Sequence, residues 1–390
     1  MTRTLRLGYV PLLDAAPLLL AEALGFAEEE GLHLNLHPAP SWASLRDMLA
    51  LSQVDAAQML SPVPVAMALG LGRSPTRFEA LSVLNLNGNV IGVSQDLAVR
   101  MRAQGHEFGF DDPRCAGLAL LAAAGQLRIG VPFAISMHRE LVQYWLAALG
   151  ADPARLDIRT VPPPQMAAAL AAGDIDAFCV GEPWGSVAVE IGAGALLLPG
   201  AALWASAPEK VLATRLGWAE AEPGLAGALL RAIWRAGRWL DAVENHAVAS
   251  ELLTSPGRLT VSPDLIERAL TGRMVISLQG QERQTDRLIV FHAGAANFPW
   301  RSQAAWIGAA LARRNGLDVA QTSKTAAAVF RSDLYRLHLR STGTDLPAAS
   351  EKLEGALASS TAVASERGQM ILPADRFFDA RIFDPSAPLR

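Results

Sequence analysis

Short apolar runs alternate with helix-like stretches along the first half of the chain. The runs are bounded by turn residues and are short enough to be strands, and the first longer stretch ends at Gly25, as helices commonly do. The predicted strands are residues 5–10, 32–36 and 54–60. The predicted helices are residues 14–24, 44–51 and 64–71. This alternation is typical of an α/β fold.

The same pattern occurs a second time about 120 residues later. Residues 5–8 (Leu-Arg-Leu-Gly) correspond to residues 127–130 (Leu-Arg-Ile-Gly). Asp55 and Asp176 each begin an Asp-Ala pair, and a proline follows seven residues after each aspartate. The second copy continues with predicted helices at 138–149 and 165–172 and predicted strands at 156–161 and 175–180. The chain therefore contains one β-α-β-α-β unit twice.

Two segments are predicted to join these units into a two-lobed, hinged molecule. Residues 81–94 are apolar around an Asn-Gly pair, which predicts one long strand passing from the first lobe into the second. Residues 195–198 form a further strand, and residues 210–213 lie in the return crossing. The predicted organisation is lobe 1 at 1–90 and 206–340, lobe 2 at 91–205, and a C-terminal extension at 341–390.

The last third of the chain is predicted to be mainly helical. Predicted helices follow Pro223 and occupy residues 263–270, 301–314, 319–330 and 333–339. Arg231, Arg235 and Arg238 lie off the apolar face of the first of these helices, which favours a solvated face over a partner site. Residues 341–370, rich in Ser, Thr, Ala and Gly, are predicted to be a loose loop. The aromatic tail around Phe377 is predicted to dock back.

Composition excludes several classes of protein. With 390 residues, 51% of them apolar, the chain can form large cores, and the net charge of −4 without a Lys/Arg run argues against nucleic-acid binding. The longest apolar stretch, residues 116–125, is too short to span a bilayer. Cys115 and Cys179 have no metal or redox spacing and are predicted to be buried thiols. No secretory signal precedes the first strand, so a cytoplasmic location is expected.

Ligands of open α/β sheets bind beyond the carboxyl ends of the strands. In the first lobe these ends are residues 14–16, 41–42 and 61–62, with 87–89 at the crossing, and in the second they are residues 136–138, 162–165 and 181–184. Lys210 lies on the return strand, and lysine occurs only three times in the chain. A compact ammonium suits a small anion, although pairing with Glu209 at the surface is the alternative. His138 is either an anion donor or a structural residue, and Trp42 is either a flat ligand face or core.

Enzyme motifs are not found in the sequence. There is no Ser/His/Asp order, HExxH, phosphate-binding loop or dinucleotide fingerprint, and no cluster of carboxylates. Binding without a cofactor or metal is therefore favoured over catalysis.

Eight segments together resemble the nitrate/bicarbonate-binding family, the solute-binding proteins of nitrate and bicarbonate ABC transporters. In order, they are Gly-Tyr-Val-Pro at 8–11, Pro-Ser-Trp at 40–42, Leu-Asn-Leu-Asn-Gly at 84–88, His138 with Tyr-Trp-Leu-Ala-Ala at 144–148, Pro-Pro-Pro-Gln-Met at 162–166, Val-Gly-Glu-Pro-Trp at 180–184, Pro-Glu-Lys at 208–210 and Ala-Asn-Phe-Pro-Trp-Arg at 296–301. The resemblance runs from about residue 5 to about 385 and implies a periplasmic-binding-protein-like (type II) fold.

The resemblance also implies a ligand set. The family's anion contacts fall on Trp42, Asn89, His138, Pro163, Val180, Gly181 and Lys210. Bicarbonate binders of the family carry an acidic residue in place of the lysine, so nitrate or nitrite is the implied ligand. Two departures matter: Asn89 replaces a longer glutamine, and residues 131–137 form a longer, bulkier turn before His138.

Cytoplasmic members of the family are similar to the NasS-type nitrate/nitrite sensor. The resemblance then implies a regulator of nitrate assimilation genes that controls an RNA-binding, ANTAR-type antiterminator, without itself contacting nucleic acid or membrane. The alternative is the binding subunit of a nitrate ABC transporter. An enzyme like the pyrimidine-precursor synthases of the same fold would need a cysteine-rich motif, and the chain has two cysteines.

Overall fold

The structure is a computed structural model that describes residues 2–72, 74–152 and 155–388. The first residue of the predicted first lobe and the last two of the predicted extension lie outside the described residues. The strands are β1 Arg3–Tyr9, β2 Leu32–Pro38, β3 Ala56–Leu60, β4 Phe78–Asn87, β5 Asn89–Ser94, β6 Leu127–Val131, β7 Leu156–Thr160, β8 Ala177–Gly181, β9 Gly194–Pro199, β10 Pro208–Arg215, β11 Arg273–Val275, β12 Glu282–Gln284, β13 Ile289–Val290, β14 Thr361–Ser365 and β15 Gly368–Leu372.

The helices surround these strands. They are α1 Ala16–Ala23, α2 Phe26–Glu29, α3 Trp42–Ala50, α4 Pro62–Ala68, α5 Gln95–Ala103, α6 Pro113–Ala123, α7 Met137–Ala148, α8 Met166–Ala171, α9 Trp184–Glu190, α10 Trp218–Ala221, α11 Pro223–Leu240, α12 His246–Leu253, α13 Pro263–Thr271, α14 Arg301–Asn315, α15 Val319–Ala327 and α16 Ser332–Leu339. Within the described ranges, none of these helices is long and apolar enough to cross a membrane.

Two mixed sheets confirm the α/β prediction. The first has the order β13-β4-β10-β3-β1-β2, with β1, β2 and β3 parallel and β10 antiparallel to both of its neighbours. The second has the order β7-β6-β8-β5-β9, with β6 parallel to β7 and β8, and β5 antiparallel to β8 and β9. The chain passes from the first sheet to the second between β4 and β5, and returns between β9 and β10.

The internal repeat is present in three dimensions. Arg6 on β1 pairs with Asp55, just before β3, at 2.7 Å, and Arg128 on β6 pairs with Asp176, just before β8, at 2.6 Å. In each copy the aspartate also accepts the backbone N–H of its arginine, at 3.0 and 2.9 Å. Each pair therefore connects one strand of a parallel pair to the residue just before its neighbour, in the same way in both copies.

The single long strand predicted at 81–94 is wrong in one respect, because it is broken at the sheet junction. Asn87 and Gly88 have φ angles of 59° and 91°, which end the extended conformation of β4. Positive φ is readily adopted by glycine and tolerated by asparagine. The Asn-Gly pair therefore turns the backbone so that β5 joins the second sheet.

The loose loop predicted at 341–370 is also corrected. Residues 361–365 and 368–372 pair as the antiparallel hairpin β14–β15. Asp345 accepts the backbone N–H of Arg367 in the turn, at 3.2 Å. Docking of the tail is confirmed, since Phe377 is buried and its ring centroid lies 4.7 Å from that of Trp204.

Two surface predictions are revised. Cys179 is buried as predicted, but Cys115 is exposed in the first turn of α6, so its prediction is wrong. Arg231 and Arg235 are not simply solvated: they pair with Glu30 and Glu29 beside α2 at 2.7 and 2.6 Å. The arginine face of α11 therefore binds another part of the same chain.

Phe377→Ala should lower the free energy of unfolding by about 3–5 kcal/mol, the usual loss for a buried aromatic ring. Its ring packs against Tyr144 and Trp306 as well as Trp204. Urea unfolding measures the change, and Ile382→Ala is the control, because Ile382 lies in the same tail but is 53% exposed. Equal, small effects of the two substitutions would contradict a docked tail.

Candidate functional site

Lys210 lies on β10 and is fully buried between two carboxylates. Its Nζ is 2.6 Å from Asp14 Oδ2 and 3.0 Å from Glu209 Oε1. Adjacent strand residues normally point to opposite faces of a sheet. The pairing of β10 with β4 is irregular on both sides of Lys210, and a bulge of this kind re-aims side chains. Glu209 and Lys210 can therefore meet on one side of the strand.

Asp14 is positioned by the turn that follows β1. It lies in the 3-10 helix Leu13–Ala15 and is buried. Gln58, in the middle of β3, donates from Nε2 to Asp14 Oδ1 and accepts the Val10 N–H at Oε1, at 2.9 Å. The amide of Gln58 therefore fixes the carboxylate that holds Lys210.

Glu209 connects the first sheet to the second. Asn89 Nδ2, at the beginning of β5, donates to Glu209 Oε2 at 2.8 Å. A Cβ on Gly200 would lie 1.6 Å from Asn89 Oδ1, so a glycine is needed there. His138 Nδ1, in the first turn of α7, lies 3.1 Å from Glu209 Oε1. The contacts of the Glu209 carboxylate therefore connect the two lobes.

The bulky turn at residues 131–137, which departs from the family pattern, leads into helix α7. Ser136 caps the helix: its Oγ accepts the Arg139 N–H at 3.3 Å and donates to the Phe133 carbonyl at 2.8 Å. His138 is buried, and among the described residues neither ring nitrogen makes a well-aligned hydrogen bond. Burial, and then the charge of Lys210, hold the pKa of His138 well below its ordinary value, so the ring is neutral at pH 7.

Two of the remaining predicted residues, Trp42 and Gly181, lie beside this cluster. Trp42 is the buried first residue of α3, with its ring centroid 5.2 Å from Lys210 Nζ, and its Nε1 has no hydrogen-bond partner in the described part of the chain. Gly181 ends β8 opposite Asn89, and a Cβ there would lie 3.4 Å from Asp14 Oδ2. Val180 precedes it. Pro163 is buried at the beginning of the 3-10 helix Pro163–Gln165, where its carbonyl accepts the Met166 N–H.

Sequence reasoning placed Asp14 at a ligand-facing strand end but not in the ligand set, and it missed Gln58 and the burial of Glu209. Gln58 is a polar residue within an apolar run, so it carried a usable signal. Pairing of Glu209 with Lys210 at the surface was the alternative to an anion-binding lysine; the pairing is present, but it is buried. No feature of the sequence predicts the irregular pairing of β10 with β4, which turns the Glu209 side chain inward.

The cluster contains one lysine and two carboxyl groups, so it has fewer positive than negative groups. Burial raises the pKa values of Asp14 and Glu209 above their ordinary values, although Lys210 opposes this. Burial lowers the pKa of Lys210, but the two carboxylates raise it by more, so the lysine is a cation. With His138 neutral, the cluster carries a net charge of about −1 when both carboxyls are ionised. A further anion then requires a proton or the displacement of a carboxylate.

A second lysine has the same surroundings elsewhere in the chain. Lys352 Nζ lies 2.5 Å from Glu354 Oε2, contacts Asp375 Oδ2, and is 5.7 Å from the Trp300 ring centroid. This cluster attaches the C-terminal extension to the beginning of α14, where Ser302 donates to Glu354 at 2.6 Å. A lysine held between carboxylates is therefore also a structural feature of this fold. The Lys210 cluster differs in its position between the sheets and in its unsatisfied neighbours.

Glu182, directly after β8, is a further buried carboxyl near the site. Burial raises its pKa to about 7, and its Oε2 accepts the Ser186 N–H at 3.3 Å. Its carbonyl accepts the Leu13 N–H at 3.3 Å, which joins the loop after β8 to the loop after β1. In the described ranges, no group of three or more His, Cys, Asp or Glu side chains is placed to hold a metal.

The titration of Glu182 predicts a pH dependence of stability. Because the folded pKa is raised from 4.5 to about 7, the contribution of Glu182 to the free energy of unfolding is complete below pH 4.5. It is lost as pH rises toward 7, by about 3 kcal/mol. The wild type should therefore become less stable relative to Glu182→Gln by about that amount between pH 4.5 and 8.

Urea unfolding across this pH range measures the difference. Glu190→Gln is the control, because Glu190 ends α9 with a side chain that is 47% exposed. A constant difference between wild type and Glu182→Gln at all pH values would refute the raised pKa.

Known proteins match the chain over its whole length. The model of the NMT1-like family matches residues 1–254. The nitrate/nitrite binding protein NrtA of Synechococcus elongatus is 30% identical over 397 residues, covering 98% of this chain and 84% of that protein. The bicarbonate transport ATP-binding protein CmpC of the same species is 34% identical over 319 residues, covering 79% of this chain and 45% of that protein.

The chain spans about half the length of the nitrate import ATP-binding proteins NrtC that it matches, 46% in Synechocystis and 54% in Synechococcus elongatus. The crystal structure of the periplasmic nitrate-binding protein NrtA from Synechocystis superposes with a TM-score of 0.84 at 26% identity, covering 99% of this chain and 97% of that one. The two-lobed, periplasmic-binding-protein-like fold is thereby confirmed. The chain belongs to the NMT1-like family, as a member of the nitrate- and bicarbonate-binding solute-binding proteins that its motifs resemble.

Proposed function

We propose that this chain binds nitrate or nitrite, without catalysis, between its two sheets. The observation that carries the proposal is a set of buried groups around Lys210 that lack partners in the described part of the chain. Trp42 Nε1 is a donor without an acceptor, and the ring nitrogens of His138 are unsatisfied. Buried donors normally have hydrogen-bond partners. A small planar oxyanion offers acceptor oxygens to both and a negative charge to the lysine.

The relatives support the same class of ligand. NrtA is named for nitrate and nitrite, whereas CmpC is named for bicarbonate transport. Lysine at position 210, where bicarbonate binders of the family carry an acidic residue, favours nitrate or nitrite for this chain. Asn89 donates to Glu209 in this structure, so its amide reaches an anion only if that contact moves.

Binding would act on the relative position of the lobes. Lys210, Asp14 and Trp42 belong to the first lobe, whereas His138, Asn89 and Gly181 belong to the second sheet or its helices. An anion held by both sets favours the closed arrangement over the open one by the difference in its affinity for the two. Anion binding would therefore change the relative position of the lobes, and with it the surface that a partner can contact.

We further propose that this change controls an ANTAR-type, RNA-binding antiterminator in the cytoplasm, as in the NasS-type sensors. The motif resemblance supports this proposal. The second candidate is the binding subunit of a nitrate ABC transporter, which the similarity to NrtA favours. Both candidates use the same anion site and differ in the partner that recognises it.

Lys210→Met should abolish nitrate binding, because it removes the cation and leaves two buried carboxylates facing the ligand. Calorimetric titration with nitrate, nitrite and bicarbonate measures the loss. Lys352→Met is a matched control: it removes a lysine from an equivalent pair of carboxylates beneath a tryptophan. Both variants should lose about 3–5 kcal/mol of stability, as expected when a buried pair is broken. Retained nitrate binding in folded Lys210→Met would refute the site.

Nitrate should bind together with a proton, because the cluster is already short of positive charge. The titratable groups facing it are Asp14, Glu209, Lys210, His138, Cys179 and Glu182. An anion raises the pKa of each, so the complex holds more protons than the free protein. Affinity should therefore rise as pH falls, by at most about tenfold per pH unit for each proton bound.

Titration in two buffers with different ionisation enthalpies counts the protons directly. Glu209→Gln should reduce the uptake, since it removes one of the two carboxyls that can take up the proton. A binding enthalpy that is independent of the buffer would contradict proton-coupled binding.

The sensor proposal predicts a nitrate-sensitive complex. The purified chain and the antiterminator should co-elute in gel filtration without nitrate and separate when nitrate is added, whereas Lys210→Met should co-elute in both conditions. Absence of a complex in either condition, together with loss of nitrate uptake in cells lacking the protein, would favour the transporter subunit instead.

A further inference from the structure

A cavity of about 490 Å³ lies outside the Lys210 cluster, since none of its lining residues belongs to that cluster. It is formed by the end of α11, by α12, by residues 287–294 and by the C-terminal extension, and it is termed the extension pocket. Its walls are mainly apolar, with Leu240, Leu270, Phe291 and Pro373 among them. Its size is in the range of small-molecule sites. The β14–β15 hairpin covers one side of it through Ile371.

Arg287 lines this pocket without an acceptor. Its Nε and Nη2 are buried and lack hydrogen-bond partners, and among the described residues no carboxylate lies within 4 Å of its guanidinium. Burial lowers the pKa of Arg287, although Asp241 opposes this. Buried guanidinium nitrogens without acceptors are unfavourable, and an arginine fork matches a carboxylate in a bidentate manner.

Asp241 cannot supply that acceptor in the present arrangement. Its Oδ1 accepts the N–H of Phe291 at 3.0 Å, and its Oδ2 accepts those of His292 and Ala293 at 2.8 and 2.6 Å. The carboxylate therefore shapes the loop that carries β13. Arg287 itself has a φ of 61°, an uncommon conformation for arginine. Such strain persists only where the surrounding structure fixes it.

His246 adds a second unsatisfied group to the same pocket. Its Nε2 lies 3.0 Å from the Leu240 carbonyl and donates to it, which leaves Nδ1 as an acceptor in the neutral ring. Nδ1 is buried and lacks a partner in the described part of the chain. A ligand with a hydroxyl or N–H group would satisfy it.

We propose that the extension pocket binds a small organic carboxylate with an apolar body that also carries a hydroxyl or amine. The carboxylate meets Arg287, the hydrogen-bond donor meets His246, and the apolar body fills the space beneath the β14–β15 hairpin. This site is separate from the anion site between the sheets. It also gives the C-terminal extension a function, which is to close the pocket.

The test uses mandelate, a 2-hydroxy acid with a phenyl group, and mandelamide, its neutral counterpart of nearly equal shape. Calorimetry should give saturable binding of mandelate, with mandelamide at least tenfold weaker. Arg287→Gln should weaken mandelate by at least tenfold and leave nitrate titration as in wild type. Arg238→Gln is the control, because Arg238 is an exposed arginine near the end of α11.

Hydrogen exchange on the wild-type protein keeps the proposal testable if Arg287→Gln does not fold. Mandelate should slow exchange in residues 240–246 and 287–294, whereas mandelamide at the same concentration should not. Absence of saturable mandelate binding would overturn the proposal. Equal binding of the amide, or full affinity in folded Arg287→Gln, would do the same.

Discussion

One cation is buried between two carboxylates where the sheets meet, and the properties of the cleft depend on it. Lys210 is held by Asp14 and Glu209, and Glu209 in turn contacts Asn89 and His138 of the other lobe. Removing charges from water is unfavourable unless they are paired and hydrogen-bonded. Each carboxylate here has such contacts, Asp14 through Gln58 and Glu209 through Asn89. The polar network therefore has to be complete for the lobes to meet.

The Lys352 cluster separates what is structural in this arrangement from what is available for binding. Both lysines lie between two carboxylates and near a tryptophan, although Lys210 is fully buried and the Lys352 side chain is 15% exposed. At Lys352 the surrounding groups are satisfied by Ser302 and by the backbone N–H of Leu357. At Lys210 the indole of Trp42 and the imidazole of His138 are not. The difference between the two clusters is therefore the set of free hydrogen-bonding groups, not the lysine.

The sequence predicted the scaffold well because the patterns that mark strands, helices and turns lie within short segments and occur twice. The Arg6–Asp55 and Arg128–Asp176 pairs follow from a repeated pattern, and topology places ligand residues at strand ends. The inward turn of Glu209 could not be predicted, because it depends on how β10 pairs with β4. The β14–β15 hairpin was missed since its small residues, such as Ala362 and Ala364, hide the alternation of a strand. Cys115 was misplaced because an apolar run does not reveal which helix face is buried.

The repeat makes the scaffold nearly symmetric, but the chemistry of the cleft is not. The first lobe supplies a cation with two carboxylates, and the second supplies mainly neutral groups, Asn89 and His138, beside the buried Glu182. In this structure Glu209 accepts a hydrogen bond from Asn89 and lies 3.1 Å from His138 Nδ1 without a well-aligned hydrogen bond, so it connects the lobes as an internal anion. If nitrate binds there, it competes with Glu209 for Asn89. Nitrate also gains the indole N–H of Trp42, which has no partner in the described part of the chain, and such added contacts decide how far binding shifts the lobes.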